Sequence, residues 1–339
     1  MHTIQKYAHL LTFNVLYYIE PLTYFIGEYC TAMDNANKDG VEISPEETGK
    51  KVGGALEFGL KYGMGEKKYK FGLAHDAIRE PFDYYAWGCD FFRPAMNMKQ
   101  SVFMGEENLK KAFEQLEAGE NVVFLANHQS EADPQVVSVA FEEMGFGELG
   151  ANLRYIAGHK VTTDALAIPF SMGRNLLCIH SKKHINTDPE TKSEKSKQNI
   201  MTMSAMLDKL KSGGAALWVA PSGGRDRRDV ETKEVPLAKF DQKTVDMFRL
   251  MGSKSKVATH FYPMAMVSYD LCPPPDTIEA GVGEQRNVRY VPIGVSVGKE
   301  VENIGGKESR HLFTEHSMEA VEEDYEVLLK AIEEKATEQ

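Results

Sequence analysis

A histidine and an aspartate five positions apart, in Asn127-His128-Gln129-Ser130-Glu131-Ala132-Asp133, are the residues of this chain best placed to move a proton. They follow directly on the apolar run 121–126 (NVVFLA), which comes after the turn-like Ala118-Gly119-Glu120. So short a run, rich in branched and aromatic residues, reads as a buried strand. Open α/β sheets place their sites beyond the carboxyl ends of their strands. His128 is therefore positioned as a general base, and Asp133, one turn on, can reach back and set which ring nitrogen carries the proton. The spacing alone occurs by chance in any long chain; the strand end gives it weight.

The stretch Ala220-Pro221-Ser222-Gly223-Gly224-Arg225-Asp226-Arg227-Arg228 also follows an apolar run, 215–220. Its two glycines let backbone amides approach an anion closely. Arg225 and Arg227 carry planar, permanently charged forks suited to a phosphate monoester. A solvated basic loop paired with Asp226 and Asp229 is the alternative. A third apolar run, 175–180, ends at Ser181-Lys182-Lys183-His184. A base at one strand end and cations at two others suit a phosphorylated substrate that has a proton to lose.

The elements that must position these residues can be read from periodicity. Strands are predicted over 121–126, 153–158, 175–180, 215–220, 260–268 and 288–297, with helices over 105–118, 134–144 and 194–212. This alternation predicts an α/β fold: a mixed, mostly parallel sheet covered by helices. Residues 183–199 and 224–256 read as charged surface loops framing the site, and 314–337 as an amphipathic helix on the domain. A smaller N-terminal helical domain is expected over 1–72, with the catalytic domain over 73–339. Within the apolar stretch 10–30, Glu20-Pro21 interrupts the run, and neither half reaches the roughly 20 residues of a membrane span. Two packed helices or one kinked helix are expected there. Ser44-Pro45, followed by two glutamates, marks a helix start. The loop 35–46 has the outline of a calcium-binding EF-hand loop, but its first position is Asn35 and its eighth is Glu42. It is read as an acidic inter-helix loop.

The chain has 339 residues, 42% of them hydrophobic, ample for a sizeable core, and a net charge of −11. That charge argues against general nucleic-acid binding, which needs a basic face. Four cysteines, Cys30, Cys89, Cys178 and Cys272, lie far apart without a C-x-x-C pair, so neither a zinc site nor a disulfide scaffold is indicated.

The ordered blocks 127–133 (NHQSEAD), 170–175 (FSMGRN), 181–184 (SKKH) and 220–227 (APSGGRDR) resemble those of the soluble, plastid-type glycerol-3-phosphate 1-O-acyltransferases. Residues 77–85 (AIREPFDYY) add a more specific match, and 273–275 (PPP) stand where that family has a proline run. The likeness extends from about residue 75 to about 300, and the family also places a helical bundle ahead of it. The resemblance implies transfer of a fatty acyl group from a thioester, on acyl carrier protein or coenzyme A, to the first hydroxyl of glycerol 3-phosphate.

On that likeness His128 and Asp133 are catalytic, Lys183, His184, Arg225 and Arg227 hold the phosphate, and Arg174 is a candidate at the glycerol phosphate or a structural residue. His159 and His180 are read as structural. No metal and no cofactor are expected, because the thioester is already activated. Acyl carrier protein is acidic, so its docking would call for a basic surface; Lys192, Lys195 and Lys197 form the candidate patch, unless they merely line an exposed helix. The plastid stroma is the implied location, with no transit peptide recognisable in this sequence. A lysophosphatidate acyltransferase is one rival reading, although Ser222-Gly223-Gly224-Arg225 stands where those carry Glu-Gly-Thr-Arg. A non-catalytic phospholipid or acyl-carrier binding module is another, but binding alone would not need both His128 and Asp133.

Overall fold

A computed structural model of the chain describes residues 13–64, 68–180, 185, 189–274, 286–303 and 309–338, the side chains of 13–22 and 159 excepted. Eight strands form one sheet: β1 (Ala74–His75), β2 (Val102–Met104), β3 (Asn121–Ala126), β4 (Arg154–Gly158), β5 (Asn175–Ile179), β6 (Ala216–Val219), β7 (Thr259–Val267) and β8 (Gly294–Val297). Their order is β1-β5-β4-β6-β3-β7-β8-β2. Five strand pairings are parallel and two antiparallel, so the sheet is mixed and mostly parallel, as expected. β3 pairs in parallel with both β6 and β7, with Leu125 opposite Val219 and Ala126 opposite Met264. The carboxyl ends of β6, β3 and β7 therefore open at one edge.

Both faces are covered, which is why β3 reads as an unbroken apolar run rather than an alternation. On one face Phe124, Tyr155 and Trp218 pack under α1 (Phe13–Lys38), α2 (Pro45–Gly63), α3 (Tyr84–Phe92), α4 (Glu106–Glu117) and α5 (Asp133–Glu143), with the short α6 (Gly147–Asn152) beside them. On the other face Val123, Leu125 and Leu217 meet α8 (Lys192–Ser212), α9 (Gln242–Ser255) and α10 (Ser309–Thr337). A further short helix, α7 (Ala167–Met172), packs against α2 and α3. The N-terminal helices share the first of these cores through Tyr29, Met33 and Val52, and the Tyr29 hydroxyl donates to the Phe91 carbonyl at 2.8 Å.

Several elements differ from expectation. The stretch 224–256 is not all loop, because it contains α9, whose Val245, Phe248 and Met251 are buried. Arg249 on the same helix obscures the periodicity: it too is buried, lying over the Phe313 ring and donating to Asn303 at 2.7 Å. Residues 288–293 do not extend β8; only Val291 forms an isolated bridge, with Met96. The edge strands β1 and β2 span two and three residues, too few to leave a pattern.

One helix, α1, runs through Pro21, and among the described residues no helix is long and apolar enough to cross a membrane. In the loop 35–46, the Asn37 amide clamps Ile43 through two hydrogen bonds, Asp39 accepts from the Tyr290 hydroxyl at 2.7 Å, and Glu46 pairs with Lys50. Ser44 and Glu47 close a reciprocal cap at the expected start of α2.

Phe124 is fully buried at the centre of β3, its ring 5.7 Å from Phe141 and 6.1 Å from Tyr262. Phe124→Ala leaves a cavity beneath the strand that carries the site, and is expected to cost about 3–5 kcal/mol in denaturant unfolding. A loss below about 1 kcal/mol would show that this core is not close-packed.

Candidate active site

Two residues beyond the end of β3, His128 Nδ1 lies 2.7 Å from Asp133 Oδ2. Asp133 opens α5, where the helix dipole favours negative charge, and its side chain has no solvent exposure. Its carboxylate is surrounded by donors. Oδ2 also takes the Gln129 amide at 2.8 Å, and Oδ1 takes the Ser130 amide, the Ser130 hydroxyl and, at 2.6 Å, the Ser268 hydroxyl. Burial works to raise the Asp133 pKa, but the contacts from His128, Ser268 and Gln129 outweigh it and hold the group below the usual carboxylate range. An ionised carboxylate only accepts, so Nδ1 carries the proton and the neutral ring keeps its lone pair on Nε2. The Trp218 ring stands at 82° to the imidazole, 5.6 Å between centroids, and limits its rotation.

The loop carrying His128 is fastened on three sides. Asn127 bridges to the Met266 amide at 2.8 Å and carbonyl at 2.9 Å. Gln129 Oε1 accepts the amides of Ser268 and Tyr269, while Nε2 donates to the Tyr325 hydroxyl on α10 at 3.1 Å. On the third side the Asp226 amide donates to the His128 carbonyl at 2.6 Å. Arg225 and Arg227 flank Asp226, so the basic loop and His128 are joined through the backbone. The Asp226 carboxyl, pushed up by burial, accepts the Ala238 amide at 2.9 Å, and Asp229 accepts the amides of Glu231 and Thr232.

Glu131, inside the same motif, contacts Arg225 at 3.3 Å through Oε1 and Arg286 at 2.8 Å through Oε2. Burial acts to raise its pKa, but the charges of Arg286 and Arg225 prevail and bring it down to about 2. Arg286 also meets Asp164 at 3.0 Å. Neither Arg286 nor Ser268 gives a local sequence signal. Ser268 could have been anticipated only as the residue directly after a strand ending at the same edge as β3.

Arg174 is buried between strand and helices. It donates to the Ser138 hydroxyl at 2.6 Å and to Cys89 Sγ at 3.2 Å, and lies over the Tyr85 ring. Gly173 beside it is required by close approach, since a Cβ there would fall 2.4 Å from the Tyr84 carbonyl carbon. His180 is clamped to α8, its amide and carbonyl bonded to Asn199 and its Nε2 3.0 Å from Gln198 Oε1. Lys183 and His184 lie outside the described residues, as do Pro275 and the side chain of His159.

Residues 101–267, from just before β2 to the end of β7, match the family model described as Acyltransferase. This part of the chain is similar to acyltransferase domains. The match takes in His128, Glu131, Asp133, Arg174, Arg225 and Arg227 and stops just before Ser268. The chain is similar to the chloroplastic glycerol-3-phosphate acyltransferase of Arabidopsis thaliana, 39% identical over 274 residues that cover 79% of this chain and 60% of that protein. It is 38% identical over 274 residues to the chloroplastic enzyme of the same name from Spinacia oleracea, covering 79% and 58%. The chain thus spans about three fifths of the length of these relatives. The solved 1-acyl-sn-glycerophosphate acyltransferase PlsC from Thermotoga maritima aligns with 95% of this chain and 98% of its own at a TM-score of 0.41 and 16% identity, too loosely to bear on the site.

Because the folded Glu131 pKa is depressed, its stabilising contribution is present above the ordinary glutamate range, near 4.5, and is lost as pH falls towards about 2. Stability measured across that window should fall more steeply in the native protein than in Glu131→Gln. Equal slopes would mean that the Arg225–Glu131–Arg286 contacts do not persist in solution.

Proposed function

We propose that the protein is a glycerol-3-phosphate 1-O-acyltransferase, moving a fatty acyl group from a thioester of acyl carrier protein or coenzyme A to the first hydroxyl of glycerol 3-phosphate. The observation that carries this reading is the 2.6 Å bond from the Asp226 amide to the His128 carbonyl. It joins the backbone of the loop bearing Arg225 and Arg227 to that of His128, whose Nδ1 lies against Asp133. The names of the curated relatives support the same substrate and a plastid location.

In this reading Arg225 and Arg227, with Lys183 and His184 by family likeness, grip the phosphate and bring the distal hydroxyl to His128. Positioning of this kind removes much of the entropic barrier to a bimolecular step. His128 Nε2 takes the hydroxyl proton as the oxygen attacks the thioester carbonyl. Asp133 stabilises the imidazolium that forms. As the tetrahedral intermediate collapses, the carbon–sulfur bond breaks and the imidazolium returns the proton to the leaving thiolate. The products are the 1-acyl ester and a free thiol, and the balance needs no cofactor. For an acidic carrier protein as donor, α8 offers Lys192 and Lys197, both exposed, beside the exposed side chains of Ile200 and Met201. The contacts of Asn199 with His180 place this surface near the end of β5.

The test is thiol release from oleoyl-acyl carrier protein with and without glycerol 3-phosphate. Release should depend on glycerol 3-phosphate, yield 1-acyl product, and fall by about 10²–10⁴ in His128→Ala. Release that survives in the variant removes His128 as the base; no release from native protein removes the enzyme assignment. Arg227→Gln should raise KM for glycerol 3-phosphate and lower kcat together, because the phosphate contact also positions the hydroxyl. A change in neither parameter would take Arg227 out of the phosphate site.

A further inference from the structure

Resting on that reading, we infer that Arg286 is a positioning residue for the phosphate site: it holds Glu131 so that Arg225 stays available to the substrate phosphate. The contacts form a relay. At the start of α7, the amides of Leu166 and Ala167 fix Asp164 Oδ1 at 3.0 and 3.3 Å. Asp164 Oδ2 meets Arg286 Nη2 at 3.0 Å, Arg286 Nε donates to Glu131 Oε2 at 2.8 Å, and Glu131 Oε1 meets Arg225 Nη1 at 3.3 Å. All four side chains are at most 18% exposed, where charge interactions are poorly screened.

The two contacts of Glu131 are unequal, and the shorter goes to Arg286. An anion seeking Arg225 must compete with Glu131 for it. While Arg286 satisfies one carboxylate oxygen and much of its charge, Arg225 commits a single one of its five donors to the other oxygen. Without Arg286 the buried carboxylate would have to be neutralised chiefly by Arg225, and a two-pronged pairing between them would exclude the phosphate. Lys160 is a further cation whose charge acts on Glu131.

The experiment is calorimetric titration of glycerol 3-phosphate into native protein, Arg286→Gln, Glu131→Gln and the double variant, alongside native turnover. Arg286→Gln should weaken binding about tenfold or more, the size expected when a charge-assisted contact to a ligand is lost. In the double variant, where no carboxylate competes for Arg225, affinity should recover towards the native value. A merely structural role would not be repaired by removing a second charge. Should Arg286→Gln prove poorly folded by its thermal transition, Arg286→Lys, which keeps the charge on Glu131, should retain most of the affinity. Native turnover with undiminished binding by Arg286→Gln, or a double variant no better than the single one, overturns the inference alone. Native protein that neither binds glycerol 3-phosphate nor turns it over overturns the functional reading and the inference with it.

Discussion

An ionised carboxylate out of water is costly unless its lone pairs are filled, and at Asp133 the donors that fill them come from two distant parts of the chain. His128, Gln129 and Ser130 reach it from the loop after β3, and Ser268 reaches it from the end of β7. The group can stay charged only while those strands lie side by side with their carboxyl ends in register. The orientation of His128, the tautomer it presents and the path of the loop between β3 and α5 all follow from that one requirement. The sheet, in this sense, is the scaffold of a single hydrogen-bonded anion.

The same loop performs a second task through Glu131, two residues before Asp133. Asp133 is held by neutral and imidazole donors, whereas Glu131 is held by two guanidinium groups. Buried ion pairs add little stability in themselves, since desolvation offsets attraction. Their value here is geometric: Glu131 is tied to Arg225 on one side and Arg286 on the other.

Much of this arrangement was legible in the chain itself. The strands that flank the site are buried on both faces and therefore announce themselves as short apolar runs. His128 and Asp133, like Arg225 and Arg227, fall just beyond those runs. What could not be read depends on partners distant in sequence. Arg286 is an unremarked arginine until the fold lays it against Glu131, 155 positions away. Ser268 is one hydroxyl among many until β7 is set beside β3. Helix α9 escaped because Arg249, buried over Phe313, broke an otherwise apolar stripe, so a charge marked as surface a position that belongs to the core.

The bond between Gln129 and Tyr325 joins the residue next to His128 to the last helix of the described chain. During synthesis β3 and its loop emerge early, but this fastening cannot form until some two hundred further residues have followed. The bracing of this loop is thus completed late. A nascent chain can acquire much of its sheet while the loop that carries His128 still lacks one of its anchors, and an incomplete polypeptide is thereby denied a fully braced loop.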